Sequence, residues 1–216
     1  MIKKLEGLKL LQRHFDSFCV ECIFAQNVEE LDQVDMRMAN GRIWRVRTGK
    51  RHGSEMSLPQ RTCYSIEEVR SFVVSTRSVD PQVEFVVHPV TSYYFSPCFI
   101  GTLMLAHSKG TPCMTIDLQA VSLEDVQMLD KGKRPRDWEV VAIYYYPFFS
   151  APPKVTILRE GVDRIFLREP ITVLYTIGRE LDILRRDNTD TVTRFNIYPS
   201  GEVILDDHRT IDSFLR

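Results

Sequence analysis

Arg45 and Arg47 stand two residues apart at the end of an apolar run, in Trp44-Arg45-Val46-Arg47-Thr48-Gly49-Lys50. In an extended strand, residues two apart share a face, so Ile43, Arg45 and Arg47 point one way and Trp44 and Val46 the other. Neighbouring guanidinium groups suit phosphate oxygens, because each planar fork donates two parallel hydrogen bonds and keeps its charge. Gly49 and Gly53 let backbone N–H groups approach an anion closely, and Lys50 adds a mobile point charge. The competing reading is a strand with solvent-facing arginines that ends in a basic turn. Neither GxxxxGK[ST] nor GxGxxG is present. Lys50-Arg51-His52-Gly53 has the KxxG spacing of covalent nucleotidyl transfer, but lacks the acid before the glycine.

A second set of residues lies near the C-terminus, in TRFNIYPSGEVILDDHR. Alternation puts Arg194 and Asn196 on one face of its first strand. On the second strand it puts Asp206 and His208 on one face, with Asp207 and Arg209 opposite. Carboxylates on adjacent strands, helped by an amide, are the oxygen donors that a magnesium ion shared with phosphates requires. Asn196, Asp206 and Asp207 are therefore the candidate metal residues. The competing reading of Asp206-Asp207-His208 is a polar strand end or a helix cap.

These residues need elements to carry them. A chain of 216 residues can bury a sizeable core as one domain or two lobes. Its net charge of -1 points to no polyanion partner, so any phosphate or nucleic-acid role must come from a local patch. The basic start, MIKKLEGLKLLQRHF, is interrupted by Glu6, Lys9, Arg13 and His14 and reads as an amphipathic helix rather than a leader. No apolar run reaches membrane-spanning length. The odd cysteine count of 5 fits reduced thiols in a cytoplasmic protein. Cys19 and Cys22 have the CxxC spacing, but they sit in a strand-like run with no second ligand pair, so they read as buried thiols.

The pattern predicts a helix over 3–15, a strand run over 18–25, and a helix over 28–39 capped by Asn27 with Glu30 in its box. A strand beginning at GRIWRVRT follows, and Ser65 caps a helix to about residue 77. After Val79-Asp80-Pro81 the texture turns to β-rich runs: VEFVVHPV, FSPCFIGTLMLA, PCMTIDLQ, DWEVVAIYYYPF and KVTILRE. A helix over 170–186 with Pro170 at its start precedes the terminal hairpin. The expected lobes are 1–79 and 80–216. The aromatic runs at 93–95 and 144–149 and the basic loop 131–136 leave open a protein-interaction or single-stranded nucleic-acid-binding module. No recognition motif accompanies them, and alternation sends half of each run into a core.

The order of elements and two segments, RIWRVRTGKRHGSEMSLP and TRFNIYPSGEVILDDHR, resemble the ATP-grasp superfamily, and loosely its branch related to phosphoenolpyruvate-synthase nucleotide domains. The resemblance implies an α+β, two-lobed arrangement with mostly antiparallel sheets. It places Arg45, Arg47 or Lys50 against ATP phosphates. Through VEFVVHPV, which resembles a strand lining that cleft, it places Glu84 and His88 near adenine or ribose. It implies ATP and Mg2+ as cofactors, an acceptor substrate that the sequence does not name, and ligase or phosphoryl-transfer chemistry. The pattern departs from the family where Asn196 stands for an acid, His208 stands near an expected Asn, and Arg209 comes one residue early. The resemblance thus implies a nucleotide site with a divergent metal end.

Overall fold

The computed structural model describes residues 2–32, 43–50, 58–90, 97–108, 111–120, 140–145, 154–156, 164–185 and 189–211. The first helix, α1 (Lys4–His14), buries Leu5, Leu8 and Leu11, and Glu6 accepts from the Lys3 N–H at its start. A 3-10 turn (Asp16–Phe18) leads to β1 (Ile23–Ala25), which is shorter than the apolar run predicted over 18–25. Helix α2 (Val28–Asp32) begins on Asn27, whose Oδ1 accepts from the Glu30 N–H at 2.9 Å. Glu30 reaches back to the N–H of Gln26 at 2.7 Å. The rest of the helix expected to residue 39 lies outside the described residues.

Strand β2 (Ile43–Lys50) follows, then β3 (Arg61–Cys63), α3 (Ile66–Val79) and β4 (Val83–Val90). Ser65 caps α3 by accepting from the Glu68 N–H, as its spacing predicts. These strands form an antiparallel sheet in the order β1-β4-β2-β3. One face buries Trp44, Val46, Phe85 and Val87 against Val69, Phe72 and Val73 of α3. On the other face Val86 meets Leu5 and Leu8 of α1. Although β4 comes after the switch near residue 80, it bonds into this first sheet, so the change of sheet falls after Val90.

The second sheet contains β5 (Phe99–Ser108), β6 (Thr111–Ala120), β7 (Val140–Tyr145), β8 (Lys154–Thr156), β9 (Thr191–Ile197) and β10 (Val203–Thr210). All its pairs are antiparallel, in the order β10-β9-β5-β6-β7-β8. Helix α4 (Arg164–Leu184) packs Leu167, Leu174, Ile177 and Leu181 onto Leu103, Leu105, Ile116 and Phe195. Pro170 lies inside this helix instead of starting it. Proline removes one N–H donor, and the apolar stripe buried on both sides of it outweighs that loss.

Leu11 of α1 and Phe15 just after it join the same core. Helix α1 therefore touches both sheets, and it does so closely: a Cβ on Gly7 would lie 1.5 Å from the His208 carbonyl oxygen of β10. The opposite face of the large sheet carries alternate residues of β5, β6 and β9. Register aligns Asp117 with Thr102 and Arg194, and Gln119 with Ile100 and Asn196. Among the described residues, the helices that pack on this sheet, α1 and α4, lie on the other side.

Candidate functional site

The β9–β10 hairpin turns at Gly201, whose φ of 85° is open to glycine at no steric cost. Along β10 the register slips between Leu205 and Asp207, so Asp206 is the extra residue of a β-bulge. A bulge leaves one residue unpaired and re-aims its side chain. Simple alternation puts Asp206 with His208; the bulge separates them. His208 lies opposite Thr193 and meets its hydroxyl at 2.8 Å, whereas Asp206 turns to Arg194 and Asn196.

The bulge also frees the Asp206 carbonyl, which accepts from Arg47 Nη1 at 3.0 Å. Arg47 Nη2 lies 3.9 Å from the carboxylate, and Arg194 Nε is 3.9 Å from its other oxygen. Burial pushes the Asp206 carboxyl up, but Arg194, Arg47, His88 and an Asn196 hydrogen bond together hold it below its ordinary value. With the bridge between Cys19 and Leu205, this contact covers the open edge of β10.

The remaining expected residues follow the register of β2 and β4. Arg45 lies opposite His88, Arg47 opposite Val86 and Gly49 opposite Glu84, so Arg45, Arg47, Glu84 and His88 share one sheet face. Arg45 donates to the Thr62 hydroxyl at 2.7 Å, and Glu84 pairs with Lys9 at 3.6 Å. Lys50 belongs to the opposite face and pairs with Asp80, so it does not join the two arginines. Alternation along the strand, which correctly separates Arg45 and Arg47 from Trp44 and Val46, also requires this. His88 is buried, and desolvation followed by the charge of Arg47 pushes its pKa down to about 3, so it is neutral.

Arg47, His88, Asp206, Gln12 and Cys22 line a cavity of about 20 Å³. That is room for a single water, not for a nucleotide. The Cys19 and Cys22 thiols beside it are pushed up to about 12 and about 11, chiefly by burial, so they are protonated at neutral pH. A larger cavity, about 530 Å³, opens between the ends of α1 and α4 and is lined by Lys9, Arg13, His14, Arg185 and Thr191. None of the expected site residues borders it.

The face of the large sheet away from α1 and α4 carries the polar donors. Arg194 is half exposed there, with Asn196 beside it and Asp117, Thr102 and Gln119 across the register. Sequence reading passed over Asp117, whose carboxyl is pushed up by burial. A lone acid within the apolar strand PCMTIDLQ was the available signal.

No family model and no curated protein matches this chain. Solved structures do. D-alanyl-alanine synthetase A from Vibrio cholerae superposes with a TM-score of 0.55 at 11% identity, over 97% of this chain and 54% of that one. D-alanine-D-alanine ligase from Helicobacter pylori gives 0.55 at 11% identity, over 95% and 54%. Carboxyaminoimidazole ribonucleotide synthase from Aspergillus clavatus, solved with ATP, gives 0.53 at 7% identity, over 96% and 44%. The chain spans about half the length of the structures it matches. Its fold is ATP-grasp-like: α+β, with two antiparallel sheets.

Asn196, Asp206 and Asp207, the residues expected to hold magnesium, do not suit it. Asp207 has both carboxylate oxygens occupied by Arg209, with Nε donating to Oδ1 at 2.9 Å and Nη2 to Oδ2. Asn196 brings no charge, and Asp206 lies between Arg47 and Arg194, each at 3.9 Å, with its Oδ1 buried and accepting no hydrogen bond. Among the described residues, no group of three His, Cys, Asp or Glu side chains is placed to hold a metal ion.

Proposed function

We propose that this chain binds an ATP-type nucleotide on the face of its large sheet away from α1 and α4, beside the strand that carries Arg45 and Arg47. The observation that carries this reading is the polar face built from Thr102, Gln119, Arg194 and Asn196, on the side of the sheet away from α1 and α4, within an ATP-grasp-like fold. In the Aspergillus clavatus relative of this fold, the bound molecule is ATP. Arg194 supplies a guanidinium fork for phosphate oxygens, and Asn196, Thr102 and Gln119 supply neutral donors and acceptors. Arg47 sets where this face ends, because it ties the small sheet to β10. The wider activity, an ATP-dependent ligation or phosphoryl transfer onto an acceptor, comes from the ligases that share the fold and is proposed with it.

A nucleotide that binds only the folded chain stabilises it by RT ln(1 + [L]/Kd), about 2.7 kcal/mol at a hundredfold excess over Kd. Thermal unfolding with millimolar ATP, ADP and tripolyphosphate, each at matched ionic strength, tests the reading. ATP and ADP should raise the midpoint, and Arg194→Ala should abolish most of the rise. Unchanged midpoints with every nucleotide sink it.

A further inference from the structure

The acids of β10 already have their counter-charges. Asp207 is almost wholly buried, at 4% side-chain exposure, and a single guanidinium meets both of its oxygens. Asp206 is 12% exposed and lies between Arg47 and Arg194, with its backbone oxygen also taken by Arg47. Among the described residues, Asp206 and Asp207 thus face three guanidinium groups, so their charge is already balanced at the β10 end of the face before any ion arrives. A magnesium ion needs near-octahedral oxygen ligands, including one or two available carboxylates. Here it would have to displace Arg209 from a buried carboxylate and leave that arginine without its partner, a costly exchange. Asp117, another acid of this face among the described residues, is two strands from Arg194, about 10 Å by strand spacing, too far to share an ion with Asp206.

We propose that Arg47, Arg194 and Arg209 balance the acids of β10 in place of a divalent cation, and that this face takes a nucleotide polyphosphate free of metal. The second half rests on the nucleotide reading above; the first half stands on the ion pairs alone. Chelated magnesium removes two negative charges from the polyphosphate, so guanidinium groups such as Arg194 attract the unchelated anion more strongly.

Two measurements on the whole chain separate these claims. The first titrates Mn2+, as a spectroscopic stand-in for magnesium, into the protein and follows the electron paramagnetic resonance signal of the free ion. The signal should be unchanged by the wild-type chain. Arg209→Asn, which frees Asp207 beside Asp206 and Asn196, should reduce it. A wild-type chain that binds Mn2+ overturns the charge-balance claim, and a folded Arg209→Asn chain that gains no binding removes Arg209 from that role. The second compares thermal stabilisation by ATP in excess EDTA and in excess magnesium. Stabilisation in EDTA should equal or exceed that in magnesium; stabilisation only with magnesium overturns the metal-free claim. No stabilisation in either medium ends the nucleotide reading and the metal-free claim with it, while the Mn2+ result still decides the charge balance.

Discussion

Asp206 shows how one unpaired residue can organise a contact between sheets. Because the bulge takes Asp206 out of the ladder, one arginine from the other sheet, Arg47, meets both its carbonyl and its carboxylate. Removing one partner of a buried ion pair leaves the other uncompensated and costs roughly 3–5 kcal/mol. Arg47→Met should therefore lower unfolding stability at pH 7 by roughly 2–4 kcal/mol, somewhat less because Arg194 still faces the carboxylate. Arg45→Met removes a hydrogen bond to a threonine hydroxyl and should cost about 1 kcal/mol. Urea denaturation of both variants checks the ranking, and equal losses would mean that Arg47 ties nothing together. The neighbouring thiols give a second residue-scale test. With Cys19 and Cys22 held near 12 and 11, alkylation by iodoacetamide at pH 7.5 should be slow in the native chain and rise sharply in urea. Mass spectrometry of the modified peptides reports each site.

Among the elements, α1 is the one both sheets depend on. Gly7 lies against the backbone of β10, so a methyl group there meets a carbonyl that cannot rotate aside. Gly178 of α4 also lacks room for a Cβ, but what it meets is the end of the Met114 side chain, at 2.6 Å. A flexible thioether can give way where a strand cannot. Gly7→Ala should therefore destabilise by several kcal/mol and Gly178→Ala by about 1–2 kcal/mol, read from urea unfolding. Elements of this kind were largely legible in the sequence. The stripe Leu5, Leu8, Leu11, the cap Ser65 and the alternation in IWRVR are local signals, and each produced the element it predicts. What the sequence hid depends on distant partners. The start of α4 six residues before Pro170 is set by packing on the sheet. The bulge at Asp206 arises from cross-strand register, and it sets Asp207 opposite Arg194 and His208 opposite Thr193. The sheet partners of β4 are likewise non-local, which is why the change of texture near residue 80 precedes the change of sheet.

At the scale of the whole molecule, two buried histidines flank the place where the sheets meet. His88 belongs to the small sheet and lines the cavity beside Arg47 and Asp206; His208 belongs to β10, where α1 rests on its carbonyl. Burial depresses both, to about 3 and about 4 against an ordinary value of 6.5. The unfolded chain therefore binds more protons than the folded one between those limits. The contribution of each histidine is fully present above pH 6.5 and is lost as pH falls toward 4 and then 3, at a slope on the order of 1 kcal/mol per pH unit. Asp117, raised by burial, works in the opposite sense, and Asp206, held below its ordinary value, adds acid sensitivity only lower down. Urea unfolding at pH 7.5 and pH 5.0 should show a clear loss of stability in acid, and His88→Gln with His208→Gln should flatten it. An unchanged slope in that double variant would place the acid sensitivity elsewhere. Both rings lie at the junction, so protonation should loosen the contact between the sheets before either sheet melts. Hydrogen exchange followed by mass spectrometry at pH 5.0 should accordingly show α1 and the Leu205–Asp207 segment losing protection first, ahead of the central strands β5 and β6.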